Sequence, residues 1–187
     1  MTELQTDRLQ LRLFRAGDFE AHAEICADPE VMRYIRAGAL SRADAWWQMA
    51  RYMGHWELRG YGLWAVIERS TDRLIGHLGF LNPEGGHGFE LGWAIARHAW
   101  GKGYALEGTR AAVQHAFTTL KCEHIACVIH PENTSSLRLA ERLGARFEKE
   151  IAEAGVRLLV FGIGQPETAA PAPLGGTNAH PCGPARR

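Results

Sequence analysis

Four runs of apolar residues in the first hundred positions have the length and pattern of β-strands. The first, Leu9–Phe14, alternates apolar and polar residues, which is typical of a strand with one buried face. The other three follow one another as Gly62–Glu68, Leu74–Leu81 and Phe89–Ala96, and the turn residues "NPEGG" separate the last two. The pattern therefore predicts one strand near the start and three consecutive strands in the middle of the chain.

Two stretches of helical character separate the first strand from the other three. The segment "DFEAHAEICAD" begins at Asp18, a residue type that favours the N-cap position of a helix. A second and longer helix is predicted over "SRADAWWQMARYMGHWELR", which begins at Ser41. The first half of the chain is thus predicted to run strand, helix, helix, strand, strand, strand.

The apolar period changes to that of a helix from Lys102. One helical stripe is formed by Leu106, Thr109, Val113, Ala116, Phe117 and Leu120. His124–His130 is predicted to be a short buried strand, and "NTSSLRLAERLG" a helix that ends at Gly144. The runs "RFEKEI" and "RLLVFGI" predict a closing hairpin around Ala154 and Gly155. The complete order, β-α-α-β-β-β-α-β-α-β-β, predicts an α/β (α+β) protein with a mixed sheet.

The composition indicates one globular domain followed by a segment of different character. Hydrophobic residues make up 46% of the 187 positions, which is enough for one domain with a substantial core. Residues 165–187 hold five of the eight prolines and almost no large apolar side chain. They cannot bury enough surface to offset the entropy lost on ordering. We therefore expect a folded domain over residues 1–164 and a disordered Pro/Ala/Gly-rich tail over residues 165–187.

Charge and targeting features argue against several classes of partner. The formal net charge is zero, which gives no support to nucleic acid as the main ligand, because such binding depends on excess Lys and Arg. The charged N-terminal segment does not have the pattern of a signal peptide, and no apolar run approaches the ~20 residues of a membrane span. The four cysteines are widely scattered, so we expect reduced thiols and a cytoplasmic protein.

Gly101 and Gly103 stand at the entrance of the helix predicted from Lys102. Glycine is the poorest ordinary helix former, so a pair at this place calls for a reason. A strand, a glycine-rich turn and a helix start together favour an anion site, because the first N–H groups of a helix have no internal partner. The pattern is neither a Walker loop nor a dinucleotide fingerprint, since Ala105 and Leu106 follow Gly103. A plain tight turn is the alternative.

Two motifs give this loop a context. The segment "WGKGYALE" and the later "HPENTSSLRLAERLG" together resemble the Gcn5-related N-acetyltransferase (GNAT) superfamily. With "LQTDRLQLRLF" and "DPEVMRYI", the chain is similar to the branch that includes the ribosomal-protein alanine N-acetyltransferases. The resemblance extends from about Leu4 to Gly164. It implies a mixed, mostly antiparallel sheet flanked by helices, and transfer of an acetyl group from acetyl-CoA to an amine.

The resemblance also implies where acetyl-CoA binds. The family motif Q/R-x-x-G-x-G/A corresponds to the segment from His98 to Gly103, with His98 in place of Gln or Arg. The implied contacts of the CoA pyrophosphate are Gly101, Lys102, Gly103, Tyr104 and Ala105. The implied contacts of the pantetheine arm are the backbone groups of Trp93, Ala94 and Ile95. Asn133 is implied to be a further contact to CoA.

Glu90 is the first candidate for a general base. In the predicted strand it shares a face with Gly92 and Ala94, and a carboxylate beside two small residues leaves the open space of a ligand groove. The resemblance places a base or a substrate-positioning carboxylate here, usually acting through water. A solvent-facing strand glutamate is the alternative.

Asn133 and Ser136 begin the last predicted helix. Helix capping accounts for both, with Asn133 as the N-cap and Ser136 in the first turn. The resemblance implies in addition that Ser136 protonates or hydrogen-bonds the leaving thiolate. In many family members a tyrosine seven residues after this asparagine serves as the general acid, and this chain has Ala140 at that position. Ser136 is therefore the remaining candidate for the acid.

The acceptor side is predicted only in outline. The resemblance implies a pocket between the first two helices and the closing hairpin. Its possible walls are Tyr34, Trp46, Trp47 and Trp64. Core packing is the alternative for each of them. Glu148 and Glu150 could meet an amine or form a solvated edge. No metal is expected, because the spacing in "CEHIAC" fits no standard zinc pattern.

Three functions remain open from the sequence. The leading one is an acetyl-CoA-dependent N-acetyltransferase that acts on a protein N-terminal α-amine or a small amine, by direct attack in a ternary complex. The others are a non-catalytic acyl-CoA sensor and a scaffold without CoA affinity. We expect acetyl-CoA and an amine as partners, no nucleic acid and no membrane. A monomer or a homodimer is expected, and the aromatic-rich segment Trp46–Trp56 could supply a dimer surface.

Overall fold

The computed structural model describes residues 3–35, 38–86 and 88–165, and these ranges form one eight-stranded sheet with five α-helices and two short 3-10 helices. The strands are β1 (Leu4–Gln5), β2 (Leu9–Arg12), β3 (Leu63–Glu68), β4 (Arg73–Leu81), β5 (Glu90–Ile95), β6 (His124–Ile129), β7 (Arg146–Glu153) and β8 (Val156–Gly164). The helices are α1 (Phe19–Ala27), α2 (Pro29–Met32), α3 (Arg42–Arg59), α4 (Tyr104–Thr118) and α5 (Thr134–Arg142). Apart from Gln165, the expected C-terminal tail lies outside the described residues.

The sheet order is β1-β2-β3-β4-β5-β6-β8-β7. Neighbouring strands are antiparallel except β5 and β6, which are parallel. The parallel pair is joined by a crossover through α4, as parallel strands require. The predicted mixed, mostly antiparallel sheet flanked by helices is therefore confirmed.

One short strand and one short α-helix were not predicted. β1 pairs with Leu11 and Gln10 of β2. Because it is only two residues long, its sequence shows no alternation of apolar and polar residues. α2 is a single turn, which begins after Asp28 and has Pro29 at its first position. The carboxylate of Asp28 caps it by accepting the Glu30 N–H over 3.0 Å.

The helices cover the two faces of the sheet and create two main cores. α4 packs on β4 and β5 and α5 on β6, with Leu91 and Ile95 of β5 buried on this side. On the other face, α1 and α3 pack together, and Met49 of α3 lies in a second core with Leu63 of β3. Alternation along β5 therefore directs Glu90 and its even-numbered neighbours toward the face of α1 and α3.

Two residues have structural roles that differ from the candidate ones. Trp64 is completely buried in the core on the α4 side, so core packing accounts for it and it is no pocket wall. Asp18 precedes α1 but does not cap it through its side chain. Its carboxylate instead pairs with Arg12 over 2.7 Å and accepts the Arg15 N–H over 2.7 Å.

Candidate functional site

A cleft of about 530 Å³ opens where β5 and β6 separate. The two strands pair in register only at Glu90 and Ala126, where the Ala126 N–H donates to the Phe89 carbonyl over 2.9 Å. Beyond this pair β5 continues to Ile95 and β6 to Ile129 without pairing with each other. Most of the predicted site residues line the cleft, namely Trp93, Ala94, Ile95, Gly101, Gly103, Tyr104, Ala105, Asn133 and Ser136.

The backbone of β5 presents hydrogen-bonding groups to this cleft. The Ala96 N–H donates to the Ile75 carbonyl over 2.8 Å, so the even-numbered residues bond toward β4. The odd-numbered residues therefore direct their N–H and C=O groups toward β6. Trp93 and Ile95 lie where β6 is no longer a partner, and they form an exposed strand edge. An extended ligand chain can pair with such an edge.

The glycine loop leads into α4 along one wall of the cleft. The φ angle is +74° at Gly101 and +81° at Gly103, a region that strongly favours glycine. Gly103 is the N-cap residue of α4, and no side chain caps the helix there. The first intrahelical bond runs from the Glu107 N–H to the Gly103 carbonyl over 3.0 Å, which leaves earlier N–H groups without helical partners. These donors and the positive end of the helix dipole suit an anionic ligand.

Arg8 and Glu107 hold the outer side of this loop. Arg8 Nη1 donates to the Lys102 carbonyl over 2.9 Å, and Arg8 Nε donates to Glu107 Oε2 over 2.7 Å. Thr6 Oγ1 donates to Glu107 Oε1 over 2.6 Å. The turn between β1 and β2 is thereby tied to the start of α4. No local pattern of the sequence indicates this pair, although Arg8 belongs to the motif "LQTDRLQLRLF" and Glu107 to "WGKGYALE".

The start of α5 forms the opposite wall. Asn133 Oδ1 accepts the Ser136 N–H over 3.1 Å and the Ser135 hydroxyl over 2.8 Å, which confirms the capping interpretation of Asn133. Ser136 borders the cleft from the first turn of the helix. Ala140 is completely buried in the core, so the position of the family's tyrosine is closed to the cleft in this chain.

Glu90 lies at the point where β5 and β6 part. Its side chain is half-buried and belongs to the sheet face of α1 and α3. A Cβ added to Gly92, on the same face, would meet no atom within 4 Å. The open space expected beside Glu90 is therefore present in the structure. Glu90 does not line the cleft of the glycine loop. It lies on the same strand as Trp93, which does line the cleft.

Besides Glu90, two predicted site residues stay outside the cleft, and several unpredicted ones line it. The side chains of His98 and Lys102 are exposed and do not contribute to the lining. Three arginines that were not among the predicted site residues do line it, namely Arg33, Arg138 and Arg142. Arg33 follows α2, which the sequence did not reveal, whereas the arginines of α5 stand four positions apart on one helix face. Such cations favour a ligand that carries phosphates.

The residues expected on the acceptor side lie in three different environments. Tyr34 lines the cleft and stacks on His130 with ring centroids 5.1 Å apart. Trp46 and Trp47 are exposed on α3 and do not contribute to the cleft lining. The two acidic residues of the hairpin have partners: Glu148 bonds His124 and Glu150 bonds Arg157, each over 2.7 Å.

The thiols of the "CEHIAC" segment are engaged in the fold. Cys122 Sγ donates to the His124 carbonyl over 2.9 Å, and burial raises the pKa of the Cys127 thiol to about 12. Within the described ranges, no group of three or more His, Cys, Asp or Glu side chains is arranged to hold a metal ion. None of the helices in these ranges is both long and apolar enough to cross a membrane.

Comparison with known families identifies the one to which this fold and cleft belong. Residues 8–146 match the model of the acetyltransferase (GNAT) domain, and the chain belongs to this family. It is 31% identical over 153 residues to a relative from Bacillus licheniformis named uncharacterized N-acetyltransferase p20, covering 80% of this chain and 84% of that one. The protein is therefore an N-acetyltransferase, of a family that uses acetyl-CoA.

Solved structures agree on the fold. An acetyltransferase from Agrobacterium tumefaciens matches with a TM-score of 0.81 at 27% identity, over 88% of this chain and 95% of that one. A structure from Vibrio cholerae, described as a putative ribosomal-protein-serine acetyltransferase, matches with a TM-score of 0.72 at 24% identity. It covers 87% of this chain and 97% of that one, and at this identity it shares the fold.

Proposed function

We propose that the protein transfers the acetyl group of acetyl-CoA to a primary amine by direct attack in a ternary complex. The observation that carries the proposal is the cleft between β5 and β6, which joins an exposed strand edge to an uncapped helix start. Acetyl-CoA has an extended amide-bearing arm and a pyrophosphate, and these two surfaces match them in kind.

Each wall of the cleft is proposed to hold one part of acetyl-CoA. The unpaired N–H groups at the start of α4, from Tyr104 on, bind the pyrophosphate together with the loop of Gly101 and Gly103. The backbone of Trp93 and the Ile95 N–H pair with the pantetheine arm. At the rim of the loop, Lys102 contacts CoA through its backbone N–H and His98 through its side chain. Asn133 contacts CoA from the start of α5.

Glu90 is proposed to remove the proton that the attacking amine must lose, directly or through a water molecule. Its position beside the open space at Gly92 supports this role. An α-amine has a pKa of about 7.7–8.0 and a lysine amine about 10.4, so a carboxylate base suits an α-amine better at neutral pH. The acceptor is accordingly a protein N-terminus or a small amine of similar basicity.

Ser136 is proposed to donate a hydrogen bond or a proton to the departing thiolate. It lines the cleft opposite the glycine loop, and Ala140 supplies no competing hydroxyl. The remaining parts of the proposal are a cytoplasmic location and a monomeric or homodimeric state. Three described cysteines, Cys26, Cys122 and Cys127, are free thiols, which supports a reducing compartment.

The first test is the melting temperature with and without acetyl-CoA. At a ligand concentration 100 times the dissociation constant, binding adds about 2.7 kcal/mol, which raises the melting temperature by roughly 5–10 °C in a chain of this size. An unchanged melting temperature at millimolar acetyl-CoA would contradict the proposal and favour the scaffold function.

The second test separates an enzyme from a sensor by following thiol release with a panel of amines. Glu90→Gln is expected to lower kcat about 100-fold or more, and Ser136→Ala about 10-fold or more, with little change in acetyl-CoA affinity. Glu123→Gln is the matched control, because Glu123 is an exposed carboxylate just before β6 with no proposed role. Wild-type binding without turnover of any amine would favour the sensor.

A further inference from the structure

The glycine loop is connected to β5 by one side chain that the function described above does not use. Trp100, the residue before Gly101, turns its indole back toward the strand, and its Nε1–H donates to the Ile95 carbonyl over 2.7 Å. This is the only hydrogen bond that an indole can donate. The ring lines the cleft and is 48% exposed, so burial alone does not explain its place.

The acceptor of this bond lies at a defined point of the strand edge. The Ile95 carbonyl points away from β4, on the side where β6 has separated. Trp100 therefore occupies the last carbonyl of the edge that faces the cleft. The bond closes a short ring from Ile95 to Trp100, and it fixes the start of the loop relative to the end of β5.

A second contact fixes the other end of the same loop. Arg8 Nη1 donates to the Lys102 carbonyl, and Arg8 is itself held by Glu107. Both contacts use loop or strand carbonyls as acceptors, so neither consumes the N–H groups that an anion would need. The segment between them contains Gly101 and Gly103, both with positive φ. Glycines lose more conformational freedom on ordering than any other residue, so an unfixed loop would weaken ligand binding.

We propose that Trp100 is a positioning residue, which holds the glycine loop in its anion-binding conformation through the bond to Ile95. This inference rests on the proposed function, because the anion is taken to be the pyrophosphate of acetyl-CoA. The bond acts on the loop before the ligand arrives, so its loss lowers affinity without unfolding the domain. Trp100 acts here through the loop and not through contact with the reacting atoms.

The test uses Trp100→Phe, which keeps an aromatic ring and removes the N–H. Two ligands are titrated into the full-length protein: acetyl-CoA, and inorganic pyrophosphate in competition with it. Because the proposal places the pyrophosphate at the loop, both dissociation constants are expected to rise by the same factor, about 5- to 10-fold. The melting temperature of the ligand-free variant should match that of the control Trp47→Phe, a residue that is 68% exposed on α3.

Each other result contradicts the inference in a recognisable way. A loss of acetyl-CoA affinity with unchanged pyrophosphate competition would mean that Trp100 contacts another part of the cofactor. Unchanged dissociation constants, with or without a lower melting temperature, would leave Trp100 a purely structural residue. If the wild-type protein binds acetyl-CoA but no pyrophosphate, the loop is not the anion site. In these titrations, the result that would contradict the proposed function itself is a wild-type protein that fails to bind acetyl-CoA.

Discussion

Two polar regions lie on opposite sides of the strands β4 and β5. The hydrogen-bonding groups of one are buried, and those of the other border an open cleft. Under α1 and α3, His22, Cys26, Gln48 and His77 are sealed from water, and the Cys26 thiol donates to Gln48 Oε1 over 3.2 Å. His77 Nδ1 has no hydrogen-bond partner there. At the start of α4, several N–H groups also lack a protein partner, but they border an open cleft.

The contrast shows where an unpaired polar group is tolerated for binding and where it costs stability. A donor at the cleft is bonded to water until a ligand replaces that water, so leaving it unpaired costs little. A group sealed in the core has no such partner, and the unpaired atom costs about 1–3 kcal/mol. The sealed cluster should therefore control acid stability, and the cleft should control ligand affinity.

The largest effect is expected from acid. Burial lowers the pKa of His22 to about 4 and that of His77 to about 3, against about 6.5 in an unfolded chain. The unfolded state thus binds more protons below pH 6.5, and stability is complete above that pH and falls as the pH drops toward 4. At pH 5 each histidine costs roughly 2 kcal/mol of unfolding free energy, measured by urea denaturation at pH 7 and pH 5.

His77→Leu should remove close to half of this loss, since it replaces a titrating ring by an apolar side chain of similar size. His98→Leu is the control, because His98 is exposed and lies outside the sealed cluster. An equal loss of stability in the wild type and in His77→Leu would show that other groups cause the acid sensitivity.

A smaller effect is expected from the glycine loop. Gly103 has a φ angle of +81°, and a Cβ there would lie 3.5 Å from Arg8 Nη2, so Gly103→Val strains the backbone by roughly 2 kcal/mol or moves the loop. Either outcome should weaken acetyl-CoA binding about 30-fold, measured by titration calorimetry. Gly155→Val, in the β7–β8 turn with a φ angle of +79°, carries the same strain away from the cleft. Equal affinities in both variants would contradict the role of the loop.

The smallest effect is expected from Glu107→Gln. This change weakens charge-assisted bonds from Arg8 and Thr6 while the side chain keeps its shape. The unfolding free energy should fall by about 1 kcal/mol, and acetyl-CoA affinity by a few-fold, because Arg8 also holds the Lys102 carbonyl. Glu141→Gln is the control, because Glu141 is exposed. If Glu107→Gln has the same stability and affinity as this control, Arg8 does not hold the loop.

The sequence was sufficient where the signal is local. Period and cap residues placed the strands from β2 to β8 and the longer helices, and the "WGKGYALE" and "HPENTSSLRLAERLG" motifs placed the two walls of the cleft. It was insufficient for β1 and α2, which are too short to show a period. The missing α2 also concealed the contribution of Arg33 to the cleft, although Tyr34 beside it was among the expected walls.

Other features depend on contacts between residues distant in the chain. No local pattern says that Arg8 meets Glu107, 99 residues away, or that β5 and β6 pair at one position and then part. The environment of a tryptophan is equally non-local, since Trp64 is completely buried and Trp47 is 68% exposed although both lie in aromatic-rich segments.

The single register pair between β5 and β6 divides the sheet into two panels. One panel contains β1 to β5, and the other contains β6, β8 and β7. A ligand arm that pairs with Trp93 would lie in the gap between the panels, in the position of a missing strand. Binding of acetyl-CoA would then complete the sheet, so the ligand would serve as part of the architecture as well as the substrate. Amide hydrogen exchange across β6 and β8 should slow on binding, although these strands lie beyond the glycine loop.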